Sequence, residues 1–156
     1  MKINLIQVGG TVDSYLKAGV AEYQKRLSYY TNFTVTEIAD IKNASRLSRD
    51  ELKKKEGIEI LKRVSNDDFL ILLDEKGKQY TSEDFAQLIQ SKMNQSTKSL
   101  IFIIGGAFGF SENIYQRADG KLSLSKMTFS HRMIRLLFTE QLYRAYTILR
   151  NEPYHH

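Results

Sequence analysis

Four short apolar runs along the chain have the length and composition of β-strands. They cover residues 3–8, 33–38, 69–73 and 100–104. The last two are continuously apolar, which is typical of strands that are covered on both faces. Residues 33–38 alternate between apolar and polar positions, so this run is predicted to be an edge strand.

Between these runs, apolar residues recur at helical spacing. Helices are predicted at residues 13–29, from 48 to about 64, from 81 onward, at 111–116 and at 131–150. Ser48 with Glu51 three positions later is a capping-box signature, and Thr81 with Asp84 starts the next helix in the same manner. The alternation of strands and helices predicts an α/β fold with a mostly parallel sheet and helices on both faces.

The last predicted helix has two apolar patches. Its broad face contains Ile134, Leu137, Phe138, Ala145, Ile148 and Leu149. Leu136 and Tyr143, seven positions apart, form a second patch on the otherwise polar side. This second patch is either a pair of exposed apolar residues on a central helix or a second buried surface, most simply a homodimer interface.

Length and composition limit the class of protein. The 156 residues suit one compact domain, and 42% hydrophobic with 26% charged residues is an ordinary globular balance. Because cysteine is absent, a disulfide scaffold, a Cys-ligated zinc site and a thiol nucleophile are excluded. The net charge of +5 suits a polyanionic partner, although a solvated surface would give the same excess.

The apolar runs are too short for a membrane protein. None approaches the roughly 20 residues that a membrane-spanning helix requires. The first six residues, MKINLI, also lack the features of a signal peptide. We therefore expect a cytoplasmic protein that is not anchored to a membrane.

The segment IGGAFG, residues 104–109, is the strongest local signal for a binding site. Its glycines allow a ligand to approach the backbone closely, and ligands of open α/β sheets bind at the carboxyl ends of the strands. Residues 73–78, LDEKGK, follow the neighbouring strand and could form the opposite wall. The alternative for 104–109 is a tight turn into the next helix.

Residues 122–131 combine apolar and hydroxyl side chains before the last helix. The segment is either an ordinary strand followed by an N-cap at Ser130, or a site that offers backbone groups to an adenine edge and apolar side chains to its faces.

Cations and aromatic residues are concentrated at the end of the chain. They are Arg132, Arg135, Arg144 and Arg150, followed by Tyr154, His155 and His156. This mixture is typical of RNA binding, and the alternative is a solvated polar face with a frayed end. No metal site is predicted, because the three histidines do not form a recognisable ligand set.

Taken together, these segments resemble the bacterial ribosomal RNA methyltransferases of the SPOUT superfamily, of the RlmH type. The resemblance extends along the whole chain. It is carried by KINL at 2–5 with Gly9, by EY and KR at 22–26, by LD and GK within 73–78, by IGG and Gly109 within 104–109, by LSKMTF at 124–129, by EQLYRA at 140–145 and by PYH at 153–155.

This resemblance implies a single SPOUT domain over residues 1–156 with a C-terminal deep trefoil knot. It also implies an obligate homodimer that binds S-adenosylmethionine in the knot, without a metal, and methylates N3 of a pseudouridine in 23S rRNA. The implied contacts to S-adenosylmethionine are Leu73, Gly105, Leu124, Ser125, Lys126, Met127, Thr128 and Phe129.

The N3 atom must lose an imide proton, so a base or a positive field beside it would assist the reaction. The candidates are His131, Arg144, Tyr154 and His155. We hypothesise that the tail of one subunit closes over the cofactor of the other. Because the charge is modest and no RNA-binding domain is attached, ribosomes or large subunits are expected to be better substrates than free rRNA. Two alternatives remain: a SPOUT methyltransferase for another RNA, and a non-catalytic ribosome- or RNA-binding factor.

Overall fold

The computed structural model describes all 156 residues, which form one five-stranded sheet in which every paired strand is parallel. The strand order is β2-β1-β4-β3-β5. The strands are β1 (Lys2–Val8), β2 (Asn32–Ile38), β3 (Phe69–Gln79), β4 (Ser99–Ile104) and β5 (Gly120–Ser123). The helices are α1 (Ser14–Leu27), α2 (Arg49–Leu61), α3 (Ser82–Asn94), α4 (Glu112–Arg117) and α5 (His131–Leu149), with a 3₁₀ turn at Ala44–Arg46.

Helices cover both faces of the sheet, as the sequence predicts. In β4, Leu100, Phe102 and Ile104 point into a core shared with α1, α3 and α5. Ile101 and Ile103 point into a second core shared with α2 and α4. The continuously apolar run is therefore explained by burial on both sides. The predicted edge position of β2 is also confirmed.

Three of the helix starts, those of α2, α3 and α5, have side-chain caps. Ser48 Oγ accepts a hydrogen bond from the backbone N–H of Glu51 at 3.2 Å, and the Glu51 carboxylate accepts one from the N–H of Ser48 at 2.8 Å. Thr81 caps α3, and Ser130 caps α5 by accepting a bond from the N–H of Met133 at 3.2 Å. These caps are local, which is why spacing alone reveals them.

Strand β3 continues past the predicted end at residue 73, so residues 73–78 belong to the strand instead of following it. Leu73 and Lys78 both pair with Leu122 of β5, which leaves residues 74–77 as a bulge in the ladder. At Gly77, a Cβ would lie 2.6 Å from backbone atoms of Leu122. Only glycine lets the bulge close this tightly onto β5.

The second patch predicted on α5 is partly covered by the chain itself. Leu136 packs on α1, where a Cβ at Gly19 would lie 2.8 Å from Leu136 Cδ1. The Tyr143 ring lies against the rings of Tyr23 and Tyr30, with centroid distances of 5.8 Å. A period of seven cannot show which element of the same chain contacts these two residues, and the dimer interface stays a prediction.

The buried face of α5 also differs from the prediction. Phe138 and Ala145 are buried as expected, whereas Ile134, Leu137, Ile148 and Leu149 are only partly buried. The fully buried positions missed by the pattern include Arg135, Thr139 and Leu142. No helix is both long and apolar enough to cross a membrane. The trefoil knot implied by the resemblance stays a prediction.

Candidate functional site

A cavity of about 700 Å³ opens where β3, β4 and β5 end. Its walls come from three stretches that are distant in sequence: residues 73–76, 104–110 and 122–131 without Lys126. Leu73, Gly105 and Met127 thus share one cavity. Of the residues that the resemblance implies as cofactor contacts, Lys126 is the one that does not line it.

The glycine segment, residues 104–109, forms a tight turn and also lines the cavity. The two interpretations of its sequence, a turn and a wall of a binding site, are therefore compatible. Gly109 has a φ of +81° and donates its N–H to Gly106 O at 3.2 Å, which closes a tight turn. At Gly105, a Cβ would lie 3.0 Å from the Phe110 ring. A side chain there would crowd both the turn and the cavity.

A buried carboxylate, missed by the sequence analysis, lies behind this segment. Glu56 of α2 is 8% exposed and has no hydrogen-bond or ion-pair partner. A Cβ at Gly106 would lie 2.6 Å from its Oε1. Burial, and secondarily the charge of Asp40, raise the pKa of Glu56. The glycine loop therefore rests on an unpaired acid, a contact that only the assembled fold reveals.

The β3 bulge is tied to α4 across one wall of the cavity. The Tyr115 hydroxyl donates to the Asp74 carboxylate, which also accepts the backbone N–H of Lys76 at 2.8 Å. Burial, followed by the bond to Asp74, raises the pKa of Tyr115 above its ordinary value. Tyr115 consequently stays protonated and holds Asp74 as a fixed acceptor. An aromatic residue in a short helix gives no sequence signal for this role.

The 122–131 segment forms the third wall as a hydroxyl-bonded turn after β5. Ser123 Oγ donates to the backbone oxygen of Ser125 at 2.9 Å, and Ser125 Oγ accepts the N–H of Met127 at 2.9 Å. Met127 and Phe129 remain exposed, at 75% and 40% of their surfaces. Apolar side chains that project from a polar turn can pack against the faces of a flat ring such as adenine, as the composition of this segment predicts.

His131, the first residue of α5, is the one proposed proton-transfer candidate that lines the cavity. Burial, and then the positive charges of Arg135 and Arg132, lower its pKa. Arg135 is completely buried and donates to Val8 O at 2.7 Å and to Thr11 Oγ1 at 2.8 Å. The guanidinium therefore fixes the start of α5 against the end of β1 and disfavours a second cation at His131.

We expect the His131 imidazole to be neutral at pH 7 and to titrate below the ordinary value of 6.5. Between the folded pKa and about 6.5, the unfolded chain binds more protons at His131 than the folded chain does. The free energy of unfolding should therefore rise with pH in this range, and the contribution of His131 should be fully present above 6.5. Histidine NMR titration measures the pKa of His131 directly. A His131 pKa above 6.5 would contradict this account.

The other three candidates lie away from the cavity of their own chain. Arg144 contacts Glu140 at 2.5 Å, and the Tyr154 hydroxyl lies 3.1 Å from the Glu140 carboxylate and from Tyr23 Oη. His155 Nε2 lies 2.8 Å from Glu83 of α3. Within one chain, the tail therefore packs beside α1, α3 and α5, and only His131 of the four reaches the cavity.

The tail also forms a small group of potential metal ligands. Ligand atoms of Glu83, His155 and His156 lie within 4.8 Å of one another. This grouping could not be predicted from local sequence patterns, because Glu83 is 72 residues before His155. The short contact between Glu83 and His155 is accounted for by a hydrogen bond.

Comparisons with known proteins agree with this architecture. Residues 1–155 match the family model described as "Predicted SPOUT methyltransferase". The chain is 54% identical to "Ribosomal RNA large subunit methyltransferase H" of Christiangramia forsetii over 156 residues, which are 100% of this chain and 99% of that protein. Proteins of the same name from Cytophaga hutchinsonii and Porphyromonas gingivalis are 54% and 47% identical, covering 100% of this chain and 100% and 99% of those proteins.

Proposed function

Since the chain belongs to the SPOUT methyltransferase family, we propose that it transfers a methyl group from S-adenosylmethionine to N3 of a pseudouridine in 23S rRNA. The observation that carries the proposal is the single cavity that joins Leu73, Gly105 and Met127. Relatives of nearly equal length are named large-subunit rRNA methyltransferases, which supports rRNA as the class of substrate.

The chemistry of the cavity fits S-adenosylmethionine. Its volume of about 700 Å³ lies within the range of small-molecule sites. Gly105 and Gly106 leave space that a Cβ would fill, and Leu73 with residues 124–129 would hold the adenosyl part, although Lys126 lies outside the wall. When bound, S-adenosylmethionine supplies a methyl group on a sulfonium. The protein's part is to orient the two reactants and to receive a proton.

His131 is the residue placed best to receive the N3 proton. It is half-buried in the cavity wall, and its lowered pKa keeps a nitrogen lone pair available at neutral pH. Arg144 would supply positive charge beside the developing anion. Tyr154, whose pKa is raised chiefly by burial, would donate a hydrogen bond rather than accept a proton. His155 would contact the base.

Arg144, Tyr154 and His155 belong to this site only if they enter the cavity of a partner subunit. The dimer is supported by the partly exposed apolar residues Ile134, Leu137, Ile148 and Leu149 of α5. Exposed Val12 and Tyr15, at the start of α1, are further apolar surface that a partner could cover. We therefore propose an obligate homodimer in which each tail completes the other subunit's site.

The proposed substrate is rRNA in assembled ribosomes or large subunits in the cytoplasm. A net charge of +5 per chain provides little sequence-independent affinity for RNA, so shape recognition of a preformed particle has to supply the rest. A protein-free transcript that is methylated as fast as large subunits would contradict this part of the proposal.

The function is tested by three measurements on the full chain. Isothermal titration with S-adenosylmethionine should show binding, and mass spectrometry of rRNA from large subunits treated with the enzyme should show one methylated pseudouridine. Subunits from a strain lacking this activity provide the substrate, and sedimentation should give twice the chain mass. Methylation at a different nucleotide would indicate another RNA target, whereas absence of both binding and methylation would indicate a non-catalytic RNA-binding factor.

A further inference from the structure

An exposed aromatic ring stands at the mouth of the cavity. Phe108, within the glycine segment, is 45% exposed. The Arg49 guanidinium at the start of α2 lies over its ring, with Cζ 4.8 Å from the centroid. Both residues line the cavity. An exposed phenylalanine in a turn contributes little to the stability of the fold. The cation over its ring therefore points to a function for the pair.

The charge of Arg49 is not used within the fold. Arg49 takes part in none of the eight ion pairs of the chain and in no side-chain hydrogen bond. Two of the acids that line the cavity are engaged elsewhere: Asp50 lies 3.4 Å from Lys53, and Asp74 accepts bonds from Tyr115 and the Lys76 backbone. Arg49 is exposed and therefore keeps its charge available to a ligand, while its guanidinium lies over the Phe108 ring.

We infer that Arg49 and Phe108 form a stacking site for an unpaired RNA base that lies next to the methylated nucleotide. This inference rests on the proposed function. A ring and a guanidinium plane offer the two surfaces on which splayed bases stack, and the guanidinium also binds the adjoining phosphate. Because both side chains line the cavity, a base held there keeps its neighbour in the strand within reach of the methyl donor.

RNA fits this pair better than a protein partner does. The exposed large apolar side chains around the cavity are Phe108, Met127 and Phe129, and Phe108 is the one over which a cation lies. The ring with its cation matches a single nucleotide, which combines a flat apolar base with a negative phosphate.

The test compares the variants Arg49→Ala, Phe108→Ala and Phe108→Tyr, with Lys62→Ala as the matched control. Lys62 directly follows α2, at the end opposite Arg49, and is an exposed cation paired with Glu59. For each variant, KM and kcat are measured with unmethylated large subunits, and the Kd for S-adenosylmethionine is measured by titration. Binding of a fluorescein-labelled single-stranded RNA oligonucleotide and of large subunits is measured by anisotropy.

We expect both alanine variants to raise KM for large subunits by about tenfold, the effect of losing one base-stacking contact. Their kcat and their Kd for S-adenosylmethionine should stay near those of the unchanged protein, since the pair holds RNA and not the cofactor. Phe108→Tyr should restore KM because it keeps the ring. Lys62→Ala should not change KM.

Four results would overturn the inference: an unchanged KM, a weakened affinity for S-adenosylmethionine with KM unaffected, an equal effect of Lys62→Ala, or a photocrosslinker at position 108 that captures ribosomal protein instead of rRNA. If the unchanged protein methylates no RNA, the proposed function fails. The anisotropy measurement of RNA binding then tests the stacking site by itself. Weaker RNA binding by Phe108→Ala would still support stacking, and equal binding would refute it.

Discussion

Replacing Gly77 with alanine is expected to abolish binding of S-adenosylmethionine and to lower the free energy of unfolding by about 3 kcal/mol. The new Cβ would lie 2.6 Å from backbone atoms of Leu122 and 2.7 Å from Lys121 C. Backbone cannot rotate away as a side chain can, so β5 and the β3 bulge have to separate. Both elements carry walls of the cavity, and the damage therefore reaches the site.

Gly120→Ala is the matched control for this prediction. Gly120 also belongs to the β3–β5 pair, yet a Cβ there would have its nearest neighbour, Ile71 Cγ1, at 3.9 Å. This variant should keep its melting temperature and its affinity for S-adenosylmethionine. Thermal denaturation and isothermal titration report the two quantities separately. A Gly77→Ala protein as stable as Gly120→Ala would show that the bulge tolerates a side chain.

Removing residues 153–156 is expected to reduce methylation of large subunits by about 100-fold or more, the contribution typical of proton-transfer and hydrogen-bonding groups. Binding of S-adenosylmethionine should persist, because none of these residues lines the cavity of their own chain. The lost side-chain hydrogen bonds are two of Tyr154 and one of His155. The truncation also removes the packing of the Tyr154 ring against Tyr143 and Arg144, which are only partly buried, so the fold should survive. Removing His156 alone is the control and should leave the rate nearly unchanged.

A mixing experiment distinguishes a tail that acts across subunits from one that acts on its own chain. Thr128→Arg would fill the cavity from an exposed wall residue while leaving the tail intact. Neither this variant nor the truncated chain should methylate alone. If the tail acts across subunits, mixed dimers pair an intact cavity with an intact tail and recover activity. Mixed dimers that form but stay inactive would refute the cross-subunit arrangement.

Local features of this fold could be predicted from the sequence because their causes are local. The cap at Ser48 needs only Glu51, and the buried strands need only continuous apolar residues. The three wall segments of the site could be selected because residues 104–109 and their neighbours follow strands that end at one edge of a parallel sheet.

The remaining features depend on partners that are far apart in sequence. Arg135 looks like part of a solvated basic face until Val8 and Thr11, more than 120 residues earlier, are seen to bury it. Tyr115 reaches Asp74 across 41 residues. The same holds for Leu136 and Tyr143 on α5, because helical spacing identifies an apolar side chain but not the residue that it contacts.

The link between Arg135 and the end of β1 also bears on biosynthesis. In a nascent chain that still lacks α5, the apolar residues of α1 and α3 lack the α5 side chains that complete their shared core. His131 is then also absent from the cavity wall. The pairing of β1 with β4 joins segments about a hundred residues apart, which delays closure further. The site therefore assembles only after the last helix has left the ribosome that made it, so each molecule becomes competent as a finished chain.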